Sequence, residues 1–189
     1  MSIYDKSSLV LIPSGTKTSK VYSQKPTNGD GDFDFTRSTA ATRVNADGNI
    51  EKETQNLILQ SNSFDTTWTN INTTDTGGQS GYDGNNNAWL LTATQPSDVR
   101  IQQATSFSGV HTISIYAKAG TANFIELVTI GGGSNPRAWF NLSSGSVGTS
   151  YSTIDTNIES VGSGWYRCSI TLNESISEHR IYLTDGDNS

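Results

Sequence analysis

The sequence predicts an all-β protein, with an extended N-terminal arm carrying short β-ribbons followed by an antiparallel β-sandwich. Three observations carry this. The 189-residue chain has a hydrophobic share of only 33% and 18 glycines, and with abundant Ser, Thr and Asn it favours turns and exposed strands over helices. Apolar residues recur with period two, as at Ile113, Ile115 and Ala117 and again at Tyr166, Cys168, Ile170 and Leu172, which turns one face of each strand toward a core. Clusters of turn residues punctuate these runs at short intervals, the spacing of a sandwich or barrel.

Taken in order, residues 1–56 hold sparse and scattered apolar side chains. These are too few to offset about 1–2 kcal/mol of backbone entropy per residue, so the arm is expected to become ordered by docking on something else. Within it, NGDGDFD at 28–34 offers a turn, Phe33 and Phe35 alternate on a strand, and Asp47-Gly48 marks a tight hairpin. Residues 57–189 form the predicted sandwich, with strands expected at 56–61, 88–94, 99–105, 111–118, 123–130, 137–142, 154–161, 165–172 and 178–184. Each strand is expected to be buried on one face only. The stretch from about 71 to 87 reads as a turn-rich loop, and Gly131-Gly132-Gly133-Ser134 as a hairpin tip. A phosphate-binding loop would need a Lys-Ser/Thr pair and a helix, and neither follows the three glycines.

Charge and composition remove several function classes. A net charge of −6 and a pI near 4.7, with no cluster of Lys and Arg, argue against nucleic-acid partners. Four Trp, seven Tyr and six Phe supply enough aromatic surface for a thin core. Lone Cys168 has no intrachain disulfide partner and sits inside a strand pattern as a small buried hydrophobe. The apolar run Leu9 to Ile12 is too short for a signal peptide, and no run of about 18 apolar residues exists for membrane insertion.

Catalytic and metal-binding constellations are not expected. Taking Asp30 as the first residue of a calcium loop puts Phe35 where glycine is required and Ala41 where the bidentate Glu belongs. The two histidines, His111 and His179, lie in no nucleophile or metal motif, and Glu126 or Glu159 can be nominated as glycosidase carboxylates only arbitrarily. No cofactor is implied. Sugar binding is the more serious use of the aromatic residues, because Trp and Tyr faces stack on pyranose C–H surfaces. Outward Tyr116, with Trp139 beside Arg137 and Asn141, is the candidate platform. In the arm, Arg37 and Arg43 frame STAAT with few apolar neighbours to lie on, which suits docking to acidic or carbonyl-rich grooves.

Two stretches carry a family resemblance. LIPSGTKTSKVY at 11–22, PTNGDGDFDFTR at 26–37 and STAATRVNADGNIE at 38–51 closely resemble the N-terminal anchor segment of bacteriophage virion fibre and spike proteins of marine and crAss-like tailed phages. LQSNSFDTTW ending at Trp68, ISIYAKAG from Ile113, WFNLSSGSVG from Trp139 and IESVGSGWYRCSITL from Ile158 resemble the carbohydrate-binding type of jelly roll that often follows that anchor. The resemblance implies a non-catalytic virion structural protein, assembled in the host bacterial cytoplasm. It would be a capsid-attached head fibre or decoration subunit, docked to other virion proteins through Leu9, Leu11, Ile12, Phe33, Phe35, Arg37 and Arg43, and homotrimeric. The alternatives are a tail fibre or receptor-binding protein whose jelly roll recognises host surface glycans, and the non-catalytic part of a depolymerase. The family's jelly roll also continues past IYLTDGDNS into a Gly-rich loop and a closing strand, so a longer parent protein is expected.

Overall fold

The computed structural model describes residues 3–17, 20–34, 42–44, 48–52 and 56–189. The chain divides into two compact units, Met1–Asn56 and Leu57–Ser189, and is built almost wholly of antiparallel strands.

The first unit begins with one helical turn, α1 (Ile3–Lys6). Strands β1 (Val10–Lys17), β2 (Lys20–Lys25) and β3 (Phe33–Asp34) form a sheet in that order, and β4 (Thr42–Val44) pairs with β5 (Ile50–Lys52). The β4–β5 pairing places a reversal around Gly48, whose φ of +83° suits the expected Asp-Gly hairpin, although Asp47 itself lies outside the described residues. Between β2 and β3 the turn is tied by the Asp32 carboxylate, which accepts from Ser23 N at 2.6 Å and Ser23 Oγ at 3.0 Å. Apolar side chains face solvent in this unit: Leu9, Phe33 and Ile50 are 45%, 50% and 76% exposed. Among the described residues of the unit, the buried position is Gly31, where a Cβ would lie 2.6 Å from Leu9 Cδ1.

The second unit is a sandwich of two main sheets. Its strands are β6 (Thr69–Ile71), β7 (Thr73–Gln79), β8 (Ala88–Ala93), β9 (Arg100–Phe107), β10 (Val110–Lys118), β11 (Phe124–Ile130), β12 (Arg137–Asn141), β13 (Ser146–Tyr151), β14 (Asp155–Gly162), β15 (Trp165–Asn173) and β16 (Ile176–Thr184). Six strands form one sheet in the order β13-β12-β11-β16-β9-β6, three form another in the order β10-β15-β14, and β7 and β8 make a separate hairpin. The chain passes from one main sheet to the other between β9 and β10, returns between β10 and β11, and repeats this between β13 and β14 and between β15 and β16.

Period-two alternation places the core. Ile101, Ile125, Leu127, Ala138, Phe140 and Ile181 from the larger sheet meet Ile113, Cys168, Ile170 and Leu172 from the smaller one. Full burial of each such branched or aromatic side chain is worth roughly 1.5–3 kcal/mol. Cys168 is fully buried and its thiol is pushed up to about 12 by that burial.

Four sequence expectations need correction. Residues 56–61 are not a strand: the backbone of Leu59 is taken by the Gln103 side chain, which accepts from Leu59 N at 3.0 Å and donates to Leu59 O at 2.9 Å. The loop then folds inward, with Ile58, Phe64 and Trp68 against the core and Phe64 edge-on to Trp68. The stretch 71–87 holds β7, and β13 arises between 142 and 154, where no strand is expected. Burial on one face only fails for β11, with Glu126 and Val128 covered on the side opposite Leu127, for β12, with Trp139 covered opposite Ala138 and Phe140, and for β15 at Ser169.

The β11–β12 connection follows expectation as a hairpin through 131–136. Gly131 there has a φ of +131°, and a Cβ would stand 2.8 Å from both Ser175 O and Ile176 Cα. Steric exclusion, rather than looseness, requires glycine at that position.

Candidate functional site

The outer face of the six-stranded sheet carries the densest polar chemistry in the described structure. Register places Glu126 on β11 between Trp139 on β12 and Tyr182 on β16, and Tyr182 opposite Arg100 on β9. One row along, Val128 lies between Arg137 and Arg180, with Tyr151 beyond Arg137. These residues alternate with Ile125, Leu127, Phe140 and Ile181 and therefore point away from the core.

A cavity of about 480 Å³ opens over this face. Glu126 and Val128 lie at its base, Arg137, Arg180 and Tyr182 flank it, and the 96–99 loop with Thr184, Asp185 and Ser189 completes its wall. Glu126 is 5% exposed, and its Oε1 has no hydrogen-bond partner. The nearest guanidinium nitrogen, Arg137 Nη1, stands 3.7 Å away, beyond hydrogen-bond reach, while Arg137 Nε donates to Asn135 O at 3.2 Å. Burial drives the Glu126 carboxyl up to about 7, against the opposing pull of Arg137. Nearby, Arg180 is engaged with Glu178 and with the Tyr182 hydroxyl, and Arg100 with Asp98.

The structure does not assemble the expected sugar platform. Arg137, Trp139 and Asn141 share the outer face of β12, whereas Tyr116 lies on β10 of the other sheet. Trp139 is 4% exposed and meets Tyr151 edge-on, so its ring face is not open for stacking. Asn141 Oδ1 accepts from Ser143 N, Ser143 Oγ and Ser144 N within 3.0 Å, closing its own turn. Tyr116 is outward, as expected, but stacks on Tyr82 with centroids 4.0 Å apart. Of the four, Arg137 lines the cavity.

The candidate docking residues are dispersed along the first unit. Leu9, Leu11 and Phe33 are exposed; Ile12 and Arg43 lie on β1 and β4; Phe35 and Arg37 lie outside the described residues. In the acidic run, the Asp32 carboxylate accepts from Ser23 and that of Asp30 from the Asn28 amide. Among the described residues, no three His, Cys, Asp or Glu side chains converge.

Sequence spacing missed one pairing. His111 and His179 flank Phe107 at 5.9 and 5.4 Å between ring centroids, and the Nε2 atom of each is buried without a partner. His179 Nδ1 lies 2.7 Å from Thr105 Oγ1, and burial with the nearby His111 lowers its pKa to about 4. It is a neutral, packed imidazole at physiological pH. Glu126 and Glu159 occupy different sheets and do not flank a common site.

No protein-family model matches the chain, and no curated protein matches it.

Proposed function

We propose that this is a non-catalytic virion structural protein, in which Met1–Asn56 attaches the chain to a phage particle and the Leu57–Ser189 sandwich is displayed. The observation that supports it best is the contrast between the two units. The second encloses a contiguous apolar core, while the first leaves Tyr4, Leu9, Leu11, Phe33 and Ile50 exposed on small ribbons. Exposed apolar residues on elements too small to stabilise themselves suit a segment completed by a partner. The resemblance of 11–51 to phage fibre anchors gives that partner its class, a capsid or tail protein. Attachment to the head is the first reading and to the tail the second. Three copies of the chain, assembled on the particle, are expected from the same resemblance.

Complementation of a phage lacking the protein tests this. Full-length chain should be recovered in purified virions, whereas a chain lacking 1–56 should stay soluble, folded and absent from particles. Truncated chain at normal copy number would overturn the reading.

A further inference from the structure

The loop between β7 and β8 meets the outer face of β10 through two phenols. Tyr82 stacks on Tyr116 with ring centroids 4.0 Å apart and 11° between the ring planes. Each ring is carried on ordered backbone. Tyr116 lies within β10, opposite Arg167 of β15, and Tyr82 lies in a closed turn where Gly81 N donates to Asn85 O at 2.7 Å. The Asp83 carboxylate fastens the same turn, accepting from Asn85 N at 3.0 Å and from Asn87 Nδ2 at 3.0 Å. The Tyr82 pKa is raised by the charge of the Tyr116 phenol, by partial desolvation and by a hydrogen bond between the two phenols, which requires both oxygens at the same end of the stack. The ring carbons beside each hydroxyl therefore face one another too. Those are the carbons that carry unpaired spin when a phenol is oxidised by one electron. Both side chains are open to solvent, Tyr82 at 46% and Tyr116 at 39% exposure, and among the described residues no other two Tyr rings are in contact.

We infer that Tyr82 and Tyr116 form an oxidative modification site, at which a one-electron oxidant joins them as an intramolecular dityrosine and turns the stack into a covalent clasp between the 80–87 loop and β10. Each phenol gives one electron to the oxidant and its hydroxyl proton to water. The two phenoxyl radicals then pair their electrons in a carbon–carbon bond between the facing ortho positions. The hydrogen on each of those carbons leaves as a proton while a proton from water returns to each oxygen, which restores both aromatic rings and both hydroxyls. The net change is the loss of two hydrogen atoms, and the oxidant takes up two electrons. The bond first forms face to face, and the rings then turn about it toward an edge-linked pair, a movement that an exposed loop can follow. Contact before oxidation is what favours this product, because a partner held in place outcompetes one that must diffuse. The clasp matters to the fold because β7 and β8 form a sheet of their own, apart from the two main sheets. The inference goes beyond the attachment reading and is separable from it. A chain that fails to enter particles leaves the pair untouched, and a pair that does not couple leaves attachment untouched.

The test exposes the full-length protein to tris(bipyridyl)ruthenium(III), generated by light and persulfate, and follows dityrosine fluorescence, intact mass and the proteolytic peptide map. The expected product is a monomer lighter by two hydrogen atoms, with one cross-linked peptide pair containing Tyr82 and Tyr116, formed at the same fractional rate in dilute and concentrated protein. It should exceed all intermolecular Tyr cross-links by about ten-fold. Amide exchange across 80–87 should be slower in the cross-linked protein than in the untreated one. Tyr82→Phe and Tyr116→Phe keep the stacked rings but remove one phenol each, so either should abolish the product while leaving the fold intact. The wild-type peptide map locates the bond even if a variant fails to fold. Cross-links spread over other tyrosines, products that appear only as covalent dimers, oxygen added to single rings without coupling, the same product in either Phe variant, or unchanged exchange across the loop would each overturn the assignment.

Discussion

Replacing Glu126 by Gln should stabilise the protein at alkaline pH and leave it unchanged in acid. The Glu126 pKa is raised in the folded state, from 4.5 to about 7, because burial outweighs the attraction of Arg137. A group raised on folding contributes stability that is fully present below its unfolded pKa and lost as pH rises through the folded one. The loss therefore develops between about pH 4.5 and pH 7 and is complete near pH 8. A shift of this size corresponds to at most about 3 kcal/mol. Water entering the cavity screens part of that, leaving roughly 2 kcal/mol. Gln keeps the shape and removes the ionisation, while Arg137, with a side chain 36% exposed, retains hydration when its partner charge goes. At pH 8 the variant should melt roughly 6–10 °C higher. Urea unfolding of both proteins from pH 4 to pH 8.5 measures the difference, in which other titrating groups such as His179 cancel. A gap that does not change with pH, or a variant less stable at pH 8, would refute the reasoning.

Ile170→Asp should unfold the sandwich, since it puts a carboxylate at a fully buried position among Ile113, Cys168 and Leu172. Thr171→Asp, on the opposite face, should cost about 1 kcal/mol through the lost Thr112–Thr171 hydroxyl pair, so equal melting temperatures would contradict the assignment of faces. Cys168 should resist thiol reagents in the native protein, with labelling that accelerates only as urea opens the core; rapid labelling without denaturant would contradict its burial. Tyr116→Ala should loosen the 80–87 loop by removing the stack on Tyr82, seen as faster amide exchange there, for a stability loss of about 1 kcal/mol. Unchanged exchange in that loop would show that the stack does not hold it.

What the sequence revealed of the fold tracks how strongly each strand is patterned by apolar residues. Val110–Lys118 alternates cleanly because it faces a core on one side, and Trp165–Asn173 carries the same alternation of apolar residues, although Ser169 on its other face is covered as well. Thr73–Gln79 contains no apolar residue beyond glycine and Ser146–Tyr151 only Val147 and Tyr151, so period two had little to act on. Backbone pairing with Ala88–Ala93 and with Arg137–Asn141 defines them instead. The opposite error occurred at 56–61, where Leu57, Ile58 and Leu59 suggested a strand. The Gln103 amide, 44 residues away, satisfies Leu59's backbone in place of a neighbouring strand, and that long-range competition has no local signature.

The cavity was hidden for a related reason. In FIELVTI the single Glu reads as an ordinary outward residue of a half-buried strand, and nothing in those seven letters predicts that both faces are covered. Coverage comes from the 96–99 loop and from 184–189, each distant in sequence. Asp187 reaches Thr149 N at 2.7 Å and Thr149 Oγ1 at 2.9 Å, and the Tyr151 hydroxyl donates to Asn188 at 3.3 Å, so this last segment is fastened to β13 beside Trp139. The same placement explains why Trp139 is covered while Arg137 lines the cavity. A broad indole two residues along β12 is sealed under its neighbours, whereas the long Arg137 side chain extends past them to the cavity. Reach, more than aromatic character, separates the two candidates on this strand, and it puts the guanidinium next to the one buried carboxylate of that face that lacks a hydrogen-bond partner.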